Sequence, residues 1–187
     1  MKNITITALA TIAIITFAFS QHSGGVYKTN TGNISFFSHT PVEDIAAENH
    51  KVKTAFSSAN GKLQFSVLIK DFEFEKALMQ EHFNENYMES TKYPKATFSG
   101  TIENIDAVKV TTDGTYTSKV SGKLTMKDVT KEVSTSATFT VKGGVVNAKA
   151  VFNVNPADYN VKIPRTVINK ISDNIKISIN ADYAHQH

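Results

Sequence analysis

Beyond residue 20, apolar side chains recur at every second position through most of the chain. That is the period of a strand with one face in a core and the other in water. It is clearest near the C-terminus, where Ile175, Ile177, Ile179, Ala181 and Tyr183 alternate with Lys176, Ser178, Asn180 and Asp182. The same rule predicts strands over 62–70 (Leu63, Phe65, Val67 and Ile69 inward, Leu68 out of phase), 97–105, 115–126, 129–141 and 146–154. Asn60-Gly61, Asp113-Gly114, Lys127-Asp128 and Gly143-Gly144 separate these runs as turns. Asn-Gly and Gly-Gly in particular accept the positive φ of a tight hairpin. Nearer the N-terminus, 26–29 and 34–39 read as two strands around a Thr31-Gly32-Asn33 turn. Val42 to Glu48 reads as a helical turn, and Val52, Thr54 and Phe56 form the inner face of a further strand.

One stretch departs from this period. Between Leu78 and Gly100, the residues Leu78, Met79, His82, Phe83, Asn86 and Tyr87 fall three and four apart, which predicts a single helix over about Met79 to Glu89 with one apolar face. Tyr93-Pro94 stops it, because a residue before proline is pushed toward extended geometry. About eight antiparallel strands, each apolar on one side, must close on themselves or pack against a second sheet. With one helix placed over an opening, the expected architecture is all-β: an extended eight-stranded antiparallel barrel with one lid helix.

The predicted inner face mixes Phe36, Phe56, Phe65, Phe98, Tyr116, Phe139 and Phe152 with Ser118, Gly122, Ala137, Ala148, Ala150 and Ala181. Large and small residues mixed in this way can interdigitate into a solid core or leave a tunnel. A strand from Val129 to Val141 spans about 43 Å, or roughly 33 Å along a barrel axis at 40° tilt. A hollow of that height suits a long, thin guest.

Residues 1–20 read as a cleavable signal peptide. Lys2 is followed by the apolar run Ile4 to Phe19, and Ala18 and Ser20 stand where a signal peptidase reads small residues. The run is shorter than the roughly 20 residues needed to span a bilayer. Cleavage places the protein in the periplasm or outside the cell and leaves residues 21–187 as one domain. Removing Lys2 takes the net charge from +3 to +2, too balanced to favour nucleic acid. The chain has no cysteine, so its stability must come from a core.

Candidate chemistry is sparse. His82 and Glu85 lack the rest of a zinc-helix motif, and His185 and His187 sit on a terminal tail, so no metal or other cofactor is expected. There is no Gly-x-Ser-x-Gly elbow and no cysteine nucleophile, so no catalytic residue and no enzyme activity is expected. Lys162 and Arg165 are the cations placed to meet a polar head group at a barrel end. Thr-rich outer faces such as Thr130 to Thr140 are compatible with a homodimer.

Three segments carry a family resemblance. HFNENYMESTKYPKATFSG (82–100) resembles the helix-to-strand segment of YceI-like polyisoprenoid-binding domains, SGKLTMKDVTKEV (121–133) resembles a hairpin of that family, and FNVNPADYNV (152–161) resembles its Asn-Arg-x-Asp-Phe-Gly-Ile stretch. Pro156 stands in place of that arginine and Asn160 in place of that glycine. The resemblance implies a lipocalin-like barrel whose apolar pore holds an isoprenoid or other amphiphilic lipid, with no catalytic or metal-binding residues. On both grounds the expected ligand-binding residues are Phe36, Phe56, Phe65, Val67, Phe98, Tyr116, Phe139, Ala148, Phe152 and Ile177 in the wall, with Leu78, Met79, Phe83 and Tyr87 guarding the mouth. The rival expectation is a non-catalytic envelope stress or scaffold protein with a packed interior.

Overall fold

A computed structural model describes residues 24–186, so the predicted signal peptide lies outside the described residues. The strands are β1 (Val26–His39), β2 (Asp44–Ser57), β3 (Lys62–Leu68), β4 (Glu73–Phe74), β5 (Lys95–Ile102), β6 (Gly114–Met126), β7 (Val129–Lys142), β8 (Val145–Val154) and β9 (Ile175–Gln186). They pair antiparallel in the order β1-β9-β8-β7-β6-β5-β3-β2, and β2 pairs back onto β1. Closure removes both free edges of the sheet. The result is the expected eight-stranded barrel with one addition: two-residue β4 pairs with β2 through Ala47 and Glu48.

The tightest hairpins follow from their turn residues. Lys127 and Asp128 both take positive φ (46° and 59°), as do Gly143 and Gly144 (57° and 82°), which is the geometry of a two-residue loop that matches strand twist. At Asn60-Gly61 only Gly61 is left-handed, and the loop is longer.

Two N-terminal expectations are corrected. Thr31-Gly32-Asn33 is not a turn: β1 runs through it, with register shifts against β2 between Thr29 and Ile34. A side chain at Gly32 would stand 3.3 Å from Val52 and 3.4 Å from Ala181, so the glycine lets β1 bulge across its neighbours. The chain reverses instead at 40–43, where the Thr40 hydroxyl accepts the Glu43 N–H at 3.0 Å. The helical turn expected over Val42 to Glu48 is the start of β2. From Asp44 on, its helix-forming residues are overridden by five register pairs with β1.

The interior is divided along the barrel axis. At the end away from the helix, Tyr27, Phe56, Phe139 and Tyr183 form a packed aromatic core with Leu63, Ile102, Val141 and Val146. Tyr27 stacks on Phe56 with ring centres 5.0 Å apart, and Tyr183 meets Phe56 edge-on at 5.0 Å. The Tyr183 hydroxyl lies 2.9 Å from that of Thr54, and both residues are buried. Burial pushes the Tyr183 phenol above the usual tyrosine range, and the Thr54 hydrogen bond acts against this. The folded state therefore holds the neutral phenol, and its contribution is lost as pH rises above about 10, where the unfolded chain ionises. Tyr183→Phe leaves the Thr54 hydroxyl buried without this partner and is expected to cost about 1–3 kcal/mol, read as a lower midpoint in urea unfolding.

Candidate functional site

The other half of the barrel is hollow. An apolar cavity of about 580 Å³ opens at the helical end, within the range of small-molecule sites. Its floor is the top of the packed core: Leu63, Val120, Ala137, Phe139, Ala148 and Tyr183 belong to both. Its walls carry Ile34, Phe65, Phe98, Leu124, Phe152 and Ile177 from six different strands. Of the two interiors that the mix of large and small residues leaves open, a solid core and a tunnel, each holds in part: a chamber lies over a packed core.

The lid begins two residues earlier than its periodicity predicts and is less regular. A helix over Ala77–His82 (α1) widens into a π-turn over Phe83–Tyr87, in which the Met88 N–H reaches back to the Phe83 carbonyl at 2.8 Å. Such a turn inserts an extra residue and rotates the side chains beyond it about the helix axis. Leu78, Met79, His82, Phe83 and Tyr87 line the cavity, whereas Asn86 is exposed and lies outside its wall. No residue of α1 or the π-turn is fully buried, so the lid rests on a few contacts. The main one is aromatic: the Phe83 ring lies 5.4 Å from Phe36, 5.6 Å from Phe72 and 5.0 Å from Phe74.

A second contact holds the lid's far end. Lys127, in the β6–β7 turn, has a side chain only 5% exposed; its Nζ donates to the Tyr87 carbonyl at 2.8 Å and to Glu89 Oε1 at 2.5 Å. Glu89 takes the left-handed conformation (φ 49°) that ends the lid, a position usually given to glycine. The Lys127 hydrogen bond holds the Glu89 carboxyl below its ordinary value. A lowered carboxyl pKa adds stability above the unfolded value, and this is lost as pH falls through the lowered folded value. Release of a bound probe is therefore expected to accelerate in acid below about pH 4 in the wild type. Glu89→Gln is expected to release faster at neutral pH and to lose that acid step, a comparison made by stopped-flow across pH.

Twelve of the expected ligand-binding residues reach the cavity: Phe36, Phe65, Val67, Leu78, Met79, Phe83, Tyr87, Phe98, Phe139, Ala148, Phe152 and Ile177. Phe56 and Tyr116 do not. Phe56 is 1% exposed inside the packed half, and Tyr116 leans on the same core with its hydroxyl donating to the Thr112 carbonyl at 2.9 Å. Both point inward, but at the wrong height. Sequence reasoning missed Phe72 and Phe74, which the turn at Ile69–Asp71 puts out of phase with the alternation ending at Ile69, and Val161, Ile163 and Ile171 in the irregular 155–174 segment.

The mouth carries Glu43, Lys76, His82 and Lys170, with Lys170 Nζ 3.6 Å from Glu43 Oε2. Lys162 and Arg165, expected near a head group, are not part of the cavity wall. Among the described residues no three His, Asp or Glu side chains are grouped to hold a metal. Pro156 opens a short helical turn over Pro156–Tyr159, where the Asn155 side chain accepts the Ala157 N–H at 2.9 Å. Asn160 ends that turn at φ 57°, the left-handed conformation that glycine would supply without strain.

A closed antiparallel barrel with an apolar chamber under a helical lid defines a hollow, lipocalin-like fold. The chain belongs to the YceI-like domain family, which it matches over residues 13–183. Solved structures share the fold. A polyisoprenoid binding domain from Saccharophagus degradans superposes with a TM-score of 0.76 at 13% identity, covering 87% of this chain and 99% of its own. Burkholderia cenocepacia BcnA gives 0.68 at 18% identity, covering 82% and 96%. The Campylobacter jejuni YCEI protein gives 0.53 at 17% identity, covering 100% and 99%. No curated protein sequence matches the chain.

Proposed function

We propose that the protein is a non-enzymatic carrier that holds a polyisoprenoid or other long-chain amphiphile in the lidded chamber, in the periplasm or outside the cell after removal of residues 1–20. The observation that carries this reading is the chamber itself, about 580 Å³ and lined almost wholly by aliphatic and aromatic side chains. Left dry, a hollow of that volume would cost on the order of 14 kcal/mol at about 24 cal/mol per Å³, as much as the whole net stability of a typical domain. An apolar chain removes that cost, and the mouth with Lys76, His82 and Lys170 can meet a polar head. The similarity to a domain described as polyisoprenoid binding supports the same reading. The scaffold reading requires a packed interior, which describes only the half beyond the floor. The test is fluorescence titration with 11-(dansylamino)undecanoic acid, with subsequent displacement by a polyprenol. Saturable uptake and competitive loss of signal are expected; a probe that stays in water counts against the carrier.

A further inference from the structure

The barrel wall is not continuous. β7 and β8 leave their hairpin as a paired ladder, from Lys142 with Val145 up to Ala137 with Ala150, and there the register ends. Above it, β7 stays with β6 from Ser136 to Val129, and β8 stays with β9 from Val151 to Val154. The two strands part toward the lid. The residues of β7 left without a β8 partner, Val129–Ser136, amount to about 26 Å of strand edge. In an antiparallel strand, alternate residues turn their N–H and C=O to each neighbour. Where the Pro156–Tyr159 turn does not cover them, the β7 groups on this side must therefore meet water, a guest or another chain. One β8 group is satisfied locally: the Thr135 hydroxyl donates to the Val151 carbonyl at 2.7 Å, where the ladder stops. At the lid end the helical turn Pro156–Tyr159 packs against β7, with Tyr159 buried and Pro156 in the cavity wall. The seam is thus a window with a sill at Thr135 and a lintel at Pro156.

The cavity reaches this window. Along its paired walls the strand positions it touches are inward ones, apart from Thr97 near the start of β5; beside the seam it also touches Ser134 and Lys149, both on outward positions. Inward residues flanking the seam, Val133, Thr135, Phe152 and Val154, are only partly buried, whereas Ala137 and Phe139 below the sill are buried. The strands that part here are also tied to different structures. The β6–β7 turn is fastened to the lid through Lys127, while β8 runs with β9.

We infer that the seam between β7 and β8 is a second opening of the chamber, through which a chain-like guest enters and leaves sideways with the lid shut. This rests on the carrier reading, since a side door matters only to a chamber that exchanges a guest. A long chain threaded through the mouth alone would have to displace the Phe83 cluster and the Lys127 latch together. Through the seam it passes between two strand edges whose hydrogen bonds are already absent. Ser134, Thr135 and Lys149 at the rim offer two hydroxyls and a cation to the polar end of such a guest.

Because the chain has no cysteine, one engineered thiol can be addressed alone. Ser134→Cys places it on the outer rim of the seam, and Gln64→Cys places it on the exposed face of β3, across the barrel. Each is coupled to biotin maleimide and loaded with streptavidin, and stopped-flow tracks exchange of 11-(dansylamino)undecanoic acid. Blocking a door slows both directions equally. The Ser134 adduct is expected to lower association and dissociation rates about tenfold each with Kd unchanged, and the Gln64 adduct to change neither. Equal rates for the two adducts would overturn the side door and leave the chamber standing. Failure of the uncoupled protein to take up the probe would remove the carrier reading and the inference with it.

Discussion

Replacing Phe83 by alanine should speed passage past the lid about 30- to 100-fold, and so total release of a bound dansyl fatty-acid probe about 4- to 11-fold where the seam carries about nine-tenths of exchange, while lowering the barrel's melting temperature only slightly. The reason lies in what holds the lid. Neither α1 nor the π-turn buries a residue fully, and the Phe83 ring is the one lid side chain that contacts three other rings, those of Phe36, Phe72 and Phe74. Half-burial of a phenyl group plus several aromatic contacts is worth about 2–3 kcal/mol. Every ~1.4 kcal/mol is a factor of ten in a rate or population, which gives the expected range. The barrel ladder does not pass through the lid, so the fold loses little. Stopped-flow dilution and a thermal melt on the same sample separate the effects. Phe83→Leu, which keeps most of the apolar contact, should fall between alanine and wild type. Unchanged release from Phe83→Ala would mean that guests do not leave past the lid, the outcome favoured by exchange through the seam alone.

Ala150→Phe should abolish probe binding by about 100-fold or more with little loss of stability, and Ala148→Leu should do nearly the reverse. Both alanines point inward on β8, and by pattern they are equivalent. Their heights differ. Ala150 is partly buried and belongs to the last β7–β8 pair, where a ring would project into open space. Ala148 pairs with Phe139 and Ala181, both buried, so a larger side chain there meets the floor of the chamber. Overpacking of that kind costs about 1–3 kcal/mol. Fluorescence titration and urea unfolding on each variant supply the two readouts. Full-strength binding in Ala150→Phe would mean that the guest sits elsewhere.

Much of the barrel is legible from residue period and turn chemistry. The strands from β5 onward are close to where alternation puts them, and the Lys127-Asp128 and Gly143-Gly144 loops are hairpins as their residues predict. The N-terminal errors share a cause: Gly32 and the Val42 to Glu48 run answer to partners far away in sequence, and local preference gives no sign of them. The same limit applies to the site. Alternation says which way Phe56 and Phe65 point, but not how high each sits in a staggered barrel, so one is core and the other cavity wall. Lys127 reads from sequence only as a turn residue, because nothing local shows that its ammonium is buried against Tyr87 and Glu89. The π-turn is hidden for a related reason: a single inserted residue barely disturbs a helical period over so short a segment.

The division of the interior into a packed half and a hollow half is the claim on which the carrier, the lid and the side door all depend. It is tested most directly by native mass spectrometry of the protein purified from its own host, with organic extraction of the same sample afterwards. The expected result is a bound amphiphile that survives in the folded ion, leaves on extraction and is missing from Ala150→Phe; the measured mass also reports whether copies pair. A bare polypeptide mass that stays bare after incubation with a polyprenol would contradict it.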